Sequence, residues 1–240
     1  MNDPQPAEAP RSEKAQRVRL RFARGPEALS IGQLDLARAW ERAFREAGLP
    51  VSHSQGNRQQ ARITIGAGLA AGVTSDGELL DVVLAEHVRP GDLVERVAPH
   101  LPPGLSARGA WEVGFGLPSL PAALRWADYE VDVVADASHA RAAAESFLAK
   151  DELPWEDTRG EKIRRYDLRP LVLELRVEQC GAATRLRMRL RCDQQGVGRP
   201  DQVVKALGLP EALRIHRARL VLADVSPAHD AWRRRGRYVA

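Results

Sequence analysis

The chain has 240 residues, 36 Lys and Arg against 32 Asp and Glu, 44% hydrophobic residues and two cysteines. That length can bury about 70–75% of the unfolded surface, the apolar fraction excludes a wholly disordered chain, and the net charge of +4 points to an anionic partner only where it clusters. The longest uncharged run, Ile63–Ser75, has 13 residues against the roughly 20 of a membrane helix, and two cysteines cannot build a disulfide framework.

Residues 1–16 carry Pro4, Pro6 and Pro10 and no apolar run, which predicts a disordered tail and no signal peptide. A cytoplasmic, non-membrane protein is the expectation. Arg17, Arg19 and Arg21 alternate with Val18, Leu20 and Phe22, the pattern of a half-buried strand. Ser30 and Gln33 have the spacing of a capping box ahead of a helix that places Leu36, Trp40, Ala43, Phe44 and Ala47 on one face. Gly48 suits the position after that helix, and Pro50 blocks its continuation. Ile63 and Ile65 mark a strand; Leu80, Val82 and Leu84 mark the next, after a Gly-rich connection closing at Ser75-Asp76-Gly77. Pro90 opens a helix with Leu93, Val94, Val97 and Ala98 inward, and Leu105–Val113 reads as a strand.

The second half repeats that order. Tyr129, Val131 and Val133 form a strand, Ser138 caps a helix ending near Lys150, and DELPWEDTRGE reads as a loop. Leu171–Gln179 and Thr184–Cys192 read as a hairpin turning at Gly181-Ala182, followed by a helix from Pro200 to Gly208 with an Asp201–Lys205 pair. Leu213–Leu222 is the last strand. The expected fold is α+β: two tandem ferredoxin-like βαββαβ units with antiparallel sheets, residues 17–118 and 119–228, then a basic tail at 229–240.

The charge excess lies mainly in that tail, where Arg233, Arg234, Arg235 and Arg237 face Asp230 alone. Arg185, Arg187, Arg189 and Arg191 share one face of a strand, which suggests either a phosphate-binding surface or a mixed-sign ladder. A turn at 181–182 sets Arg185 against Glu178, Arg189 against Glu174, Arg187 against Arg176 and Cys192 against Leu171. Aromatic residues do not interleave the stripe, so base-stacking platforms are missing. In that register Cys180 and Cys192 stand roughly 30 Å apart, too far for a disulfide or a shared metal. Six histidines show no zinc spacing, and His53 is the one among polar neighbours. No metal and no cofactor are expected, and no Ser/His/Asp arrangement follows from spacing.

The stretches RVRLRFARGPEALSIGQLDLARAWERAFREAGLPVSHSQG and RITIGAGLAAGVTSDGELLDVVL resemble the radical SAM-associated (radical SAM-linked) protein family of unknown function. SLPAALRWADYEV, DLRPLVLELRV, GVGRPDQVVKALGL and IHRARLVL extend the resemblance over residues 17–223. It implies a radical SAM cobalamin-binding protein as partner. The implied family pocket comprises Gln33, Asp35, Arg38, Ser54, Gly56, Gln60, Arg62 and Glu78, with Arg199 and Asp201 in the second half. Gln33 and Gln60 stand where the family has histidines, which removes titration near neutral pH and most metal affinity. An iron–sulfur cluster of the radical SAM type needs three cysteines, so this chain is expected not to carry that chemistry. The expected function is an accessory or substrate-presenting module for a radical SAM enzyme. The alternative is an RNA-binding or RNA-processing module using the Arg-rich sheets, and a pocket enzyme built on Asp35, Arg62 and Glu78 ranks third.

Overall fold

The computed structural model describes residues 14–55, 59–160 and 162–223; the two tails beyond them, and Gly56, lie outside the described residues. β1 (Gln16–Arg24) leads into α1 (Gln33–Glu46), followed by β2 (Ile63–Ile65), β3 (Val73–Leu84), α2 (Pro90–Val97) and β4 (Leu105–Glu112). The second half runs α3 (Leu120–Ala123), β5 (Leu124–Val133), α4 (Ala137–Leu148), β6 (Pro154–Arg159), β7 (Lys162–Asp167), β8 (Val172–Cys180) and β9 (Ala183–Asp193). It ends in β10 (Gly196–Val197), α5 (Pro200–Ala206) and β11 (Ala212–Leu222). This is a mixed α+β fold dominated by antiparallel sheet.

Within the first half the strands lie in the order β4-β1-β3-β2, antiparallel throughout. The second half has β11-β5-β9-β8, again antiparallel. Two separate sheets were expected, but a parallel ladder between β11 and β3 fuses them into one nine-stranded sheet, pairing Ile215 with Val73 and Arg217 with Ser75. The predicted loop at DELPWEDTRGE is in fact the first arm and turn of a separate hairpin, β6–β7. Its strands alternate weakly and carry many charges, so period-2 hydrophobicity could not mark them.

Two cores flank this sheet. Phe22, Trp40, Phe44 and Leu80 belong to the first, and Tyr129, Val131, Phe147 and Leu190 to the second. Adjacent residues of β3 divide between them: Leu79 joins the second core and Leu80 the first. Trp40 is fully buried and meets Phe22 edge-on at 5.0 Å between centroids, a geometry adding about 0.5–1.5 kcal/mol beyond area burial.

Several local expectations shift. The tail was expected to reach residue 16, but Gln16 is buried in β1. The β1 arginines are not on a water-facing side: Arg19 is buried against Asp81 at 2.7 Å, and Arg17 donates to the carbonyls of Gly114 and Leu117. The segment after β4 folds over that face, a tertiary contact that strand periodicity does not encode. Gly32, not Ser30, is the N-cap of α1, and no side chain caps it. In α4 the cap is Asp136, which accepts from the His139 amide at 2.9 Å, two residues ahead of Ser138. Gly48 does close α1, at φ 61, with its amide donating to the Arg45 carbonyl at 3.0 Å.

Ser75-Asp76-Gly77 is not a turn but a bulge within β3. Phe22 pairs with Glu78 and Arg24 with Ser75, so Asp76 and Gly77 together oppose one residue of β1. A Cβ on Gly77 would stand 2.6 Å from the Ala218 carbonyl, so β11 can approach only because this residue is glycine. The bulge brings Ser75 and Glu78 together: Ser75 Oγ is 2.6 Å from Glu78 Oε1 and 2.7 Å from the Arg217 carbonyl. Arg217 Nε donates to Glu78 Oε1 at 2.6 Å, and its Nη2 donates to Oε2. The two side chains are 2% and 0% exposed. Burial pulls the Arg217 pKa down, but Glu78 beside it reverses that, and the net shift is upward.

Removing one member of such a pair strands a buried charge, whereas replacing both by apolar residues does not. Arg217→Met alone is therefore expected to cost about 3–5 kcal/mol in urea unfolding, and Glu78→Leu/Arg217→Met to recover most of it. A double variant as unstable as the single would refute the pair as the source of the loss.

Candidate functional site

An open cleft of about 1460 Å³ lies where the two halves meet. One wall is the irregular segment Gly66–Ala71 between β2 and β3. Facing it are Asp157, Arg164 and Tyr166 of the β6–β7 hairpin, and the turn from Asp193 to Arg199. Tyr129 and Cys192 also line it.

The first wall is fixed from behind. Arg217 Nη1 donates to the Gly68 carbonyl at 2.9 Å and its Nη2 to the Ala67 carbonyl at 3.4 Å. Arg24, itself 1% exposed, donates to the Leu69 and Ala70 carbonyls, both at 3.4 Å. Gln33 Oε1 accepts from the Leu69 amide at 3.3 Å. Four consecutive carbonyls are thus held by two buried guanidinium groups.

The second-half residues Arg199 and Asp201 both line the cleft. Arg199 donates to both Asp201 oxygens, at 3.2 and 2.9 Å, so Asp201 pairs backwards and not with the expected Lys205. The first-half group does not assemble. Asp35 and Arg38 form an ion pair of 3.4 Å on the surface, 69% and 66% exposed. Ser54 Oγ accepts from the Gln60 amide at 3.0 Å, a local loop closure, and Arg62 Nε donates to the His53 carbonyl at 3.2 Å. Glu78 is sealed against Arg217. Only Gln33, and Glu78 through Arg217, reach the same segment, Ala67–Leu69.

Spacing could not reveal two further arrangements. Thr74 Oγ1 is 2.9 Å from His216 Nδ1, and His216 Nε2 is 3.3 Å from Asp76 Oδ2. That is a hydroxyl, imidazole and carboxylate in sequence, yet His216 is buried and neither Thr74 nor His216 lines the cleft. The three clamp the β3–β11 ladder. The other arrangement is the cleft wall of the unforeseen hairpin, where Tyr166 Oη donates to Gln202 Oε1. Burial pushes the Tyr166 phenol up from its ordinary value, and burial also pushes the Cys192 thiol up. Both groups are held protonated near neutral pH. Cys180 and Cys192 are free: Cys180 ends β8 opposite Ala183, and Cys192 lies at the far end of β9.

The Arg stripe on β9 has the anticipated partners: Glu174 faces Arg189, Arg176 faces Arg187 and Glu178 faces Arg185. The register slips by one beyond Glu174, so Val172 faces Leu190 and the expected Cys192–Leu171 pairing does not form. β5 adds a second acidic row. Asp132 accepts from Arg185 at 2.7 Å, Asp128 from Arg189 at 2.7 Å and Glu130 pairs with Arg187 at 3.1 Å. From the other flank, Arg214 and Arg219 reach Asp132 and Asp128.

Among the described residues no three His, Cys, Asp or Glu side chains group as metal ligands, and no helix is long and apolar enough to cross a membrane. A family model described as "Uncharacterized protein conserved in bacteria (DUF2344)" matches residues 17–200. The chain belongs to this family. No curated protein matches the DUF2344 chain. Similar solved structures include a chain from the "Crystal Structure of a Cbf5-Nop10-Gar1 Complex", at 14% identity and a TM-score of 0.45. The match covers 86% of the DUF2344 chain and 49% of that one, so the DUF2344 chain spans about half the neighbour's length.

The acidic row makes stability pH-dependent. Arg185 holds the Asp132 carboxyl below its ordinary 3.8, and Arg189 and Arg219 overcome burial to do the same for Asp128. Such groups stabilise the fold fully above their unfolded value and lose that contribution as the pH falls through the lowered folded value. Urea midpoints are therefore expected to fall below pH 3.8. The deficit of Asp132→Asn relative to the parent should shrink between about pH 5 and about pH 2. A deficit that stays constant across that range would exclude the linkage.

Proposed function

We propose that this DUF2344 chain is an accessory module that holds a substrate in the cleft and works with a radical SAM enzyme, without carrying the iron–sulfur chemistry itself. The observation that carries the binding role is how the cleft carboxylates are used. Asp167 accepts from the amides of Leu153 and Arg169, Asp193 from those of Gln195 and Gly196, and Asp201 and Asp157 pair with Arg199. These acids build the walls, which suits a cleft that grips over one that moves protons. The partner follows from the sequence resemblance over residues 17–223. The two cysteines of the chain, one short of a radical SAM cluster motif, support a division of labour between two proteins.

In this reading each half is a ferredoxin-like unit. The matching antiparallel orders β4-β1-β3-β2 and β11-β5-β9-β8 support it. A cleft at the seam between two such units fits the usual preference of ligand sites for domain junctions. The RNA-binding alternative drew on the β9 arginines, and there a phosphate would have to displace a carboxylate already bound at about 3 Å.

The tagged full-length chain, purified anaerobically from its native host, is expected to retain a protein bearing the three-cysteine cluster motif. Mass spectrometry of the retained fraction, compared with an unrelated tagged bait, is the readout. Absence of any such protein above the control would sink the partner assignment.

A further inference from the structure

The cleft has acceptors that are spoken for and donors that are not. Its four carboxylates, Asp157, Asp167, Asp193 and Asp201, all serve protein donors. Among the described residues the Arg164 side chain has neither an ion-pair nor a hydrogen-bond partner, although it stands across from Asp157 in the hairpin and lines the cleft. Arg191 Nε is buried without a hydrogen bond; Asp193 Oδ2 lies 3.4 Å away but outside hydrogen-bond geometry. Its guanidinium packs over the Trp126 ring at 6.0 Å, which fixes the plane of the group. On the facing wall the carbonyls of Ala67, Gly68, Leu69 and Ala70 are taken by Arg217 and Arg24. The amides of Ala67, Gly68, Ala70 and Ala71 donate to no acceptor among the described residues. One unpaired cation, a second whose Nε lacks a hydrogen bond and a run of unbonded backbone N–H groups therefore line the same cleft, and what they lack is an acceptor-rich anion.

We infer that the cleft binds a phosphate ester, gripped between the Arg164 and Arg191 guanidinium groups and the amides of Ala67, Gly68, Ala70 and Ala71. The volume exceeds that of a single phosphate several-fold and is partly apolar, lined by Leu124, Leu171 and Ile215, so the phosphate is one end of a larger molecule. A free nucleotide and the backbone of a polynucleotide share that chemistry. The inference rests on the cleft as the binding site and is independent of the radical SAM partner, so a failed co-purification leaves it standing.

Titration of the full-length chain with AMP, with adenosine, and with a short single-stranded ribo-oligonucleotide tests it by calorimetry. AMP or the oligonucleotide is expected to bind saturably, adenosine at least about tenfold more weakly, with affinity falling as salt rises. The tighter of the two phosphate ligands identifies the source. Arg164→Ala should weaken binding about tenfold or more, Arg164→Lys should recover part of it, and Arg108→Ala, on β4 away from the cleft, should leave it unchanged. Arg164 is exposed, so its variants keep the parental fold, which circular dichroism verifies. No saturable binding of either phosphate ligand, equal binding of adenosine, or an Arg164→Ala variant that binds like the parent would each overturn the proposal.

Discussion

The fused sheet depends on one buried ion pair, Glu78 with Arg217. Neither charge reaches water, and taking both out of it costs several kcal/mol per ion before their attraction is counted. That expense is offset only by near-complete satisfaction. Glu78 accepts from Ser75 and from Nε and Nη2 of the guanidinium, while Nη1 donates to the Gly68 carbonyl and the Tyr129 hydroxyl and Nη2 also to the Ala67 carbonyl. The pair joins residues 139 positions apart and thereby locks β11 beside β3. It also pulls in the segment between β2 and β3, so the wall of the cleft is a by-product of the same interaction that closes the sheet.

The rest of the chain's charge divides into two regimes. On β5, β8 and β9 each arginine of the stripe meets at least one carboxylate, and Asp128 and Asp132 serve arginines from two neighbouring strands. Partly exposed pairs of this kind are worth a fraction of a kcal/mol each, and their main effect is to neutralise the face and to fix register against a one-residue slip. In the cleft the accounting is lopsided, with carboxylates consumed by loop amides and by Arg199 while Arg164 is left over. A mildly basic composition therefore says little by itself, since the exposed surface of the stripe is balanced while a few donors at the seam are not.

What could be read in the sequence was what is local. The hairpin register around Gly181 came from turn position alone, α1 and α2 from apolar periodicity with Gly48 or Pro90 at an end, and α5 from Pro200, Gly208 and an i,i+4 charge spacing. Misreadings share a cause. Ser75-Asp76-Gly77 has turn composition, yet β11 arriving from 142 residues away recruits it into a bulged strand, because tertiary pairing outweighs local turn preference. Ser30 has the composition of a cap but sits two residues too early, and Gln33, expected to support that cap, instead holds Leu69. Arg17 and Arg19 alternate as surface residues do yet are buried, Arg17 against a segment that no pattern in β1 can announce.

The candidate site divides in the same way. Arg199 and Asp201 became candidates through the family resemblance, and both line the cleft. Glu78 became a pocket candidate through the family resemblance, since nothing local in β3 separates a structural acid from a functional one. Its partner, however, is on the last strand, and the two neutralise one another. Arg164 drew no attention because it lies in a charged hairpin without hydrophobic period, and its significance comes wholly from being left unpaired there. An ion pair and an unpaired cation are indistinguishable in sequence; only the fold decides which arginine is structural and which remains available to a ligand.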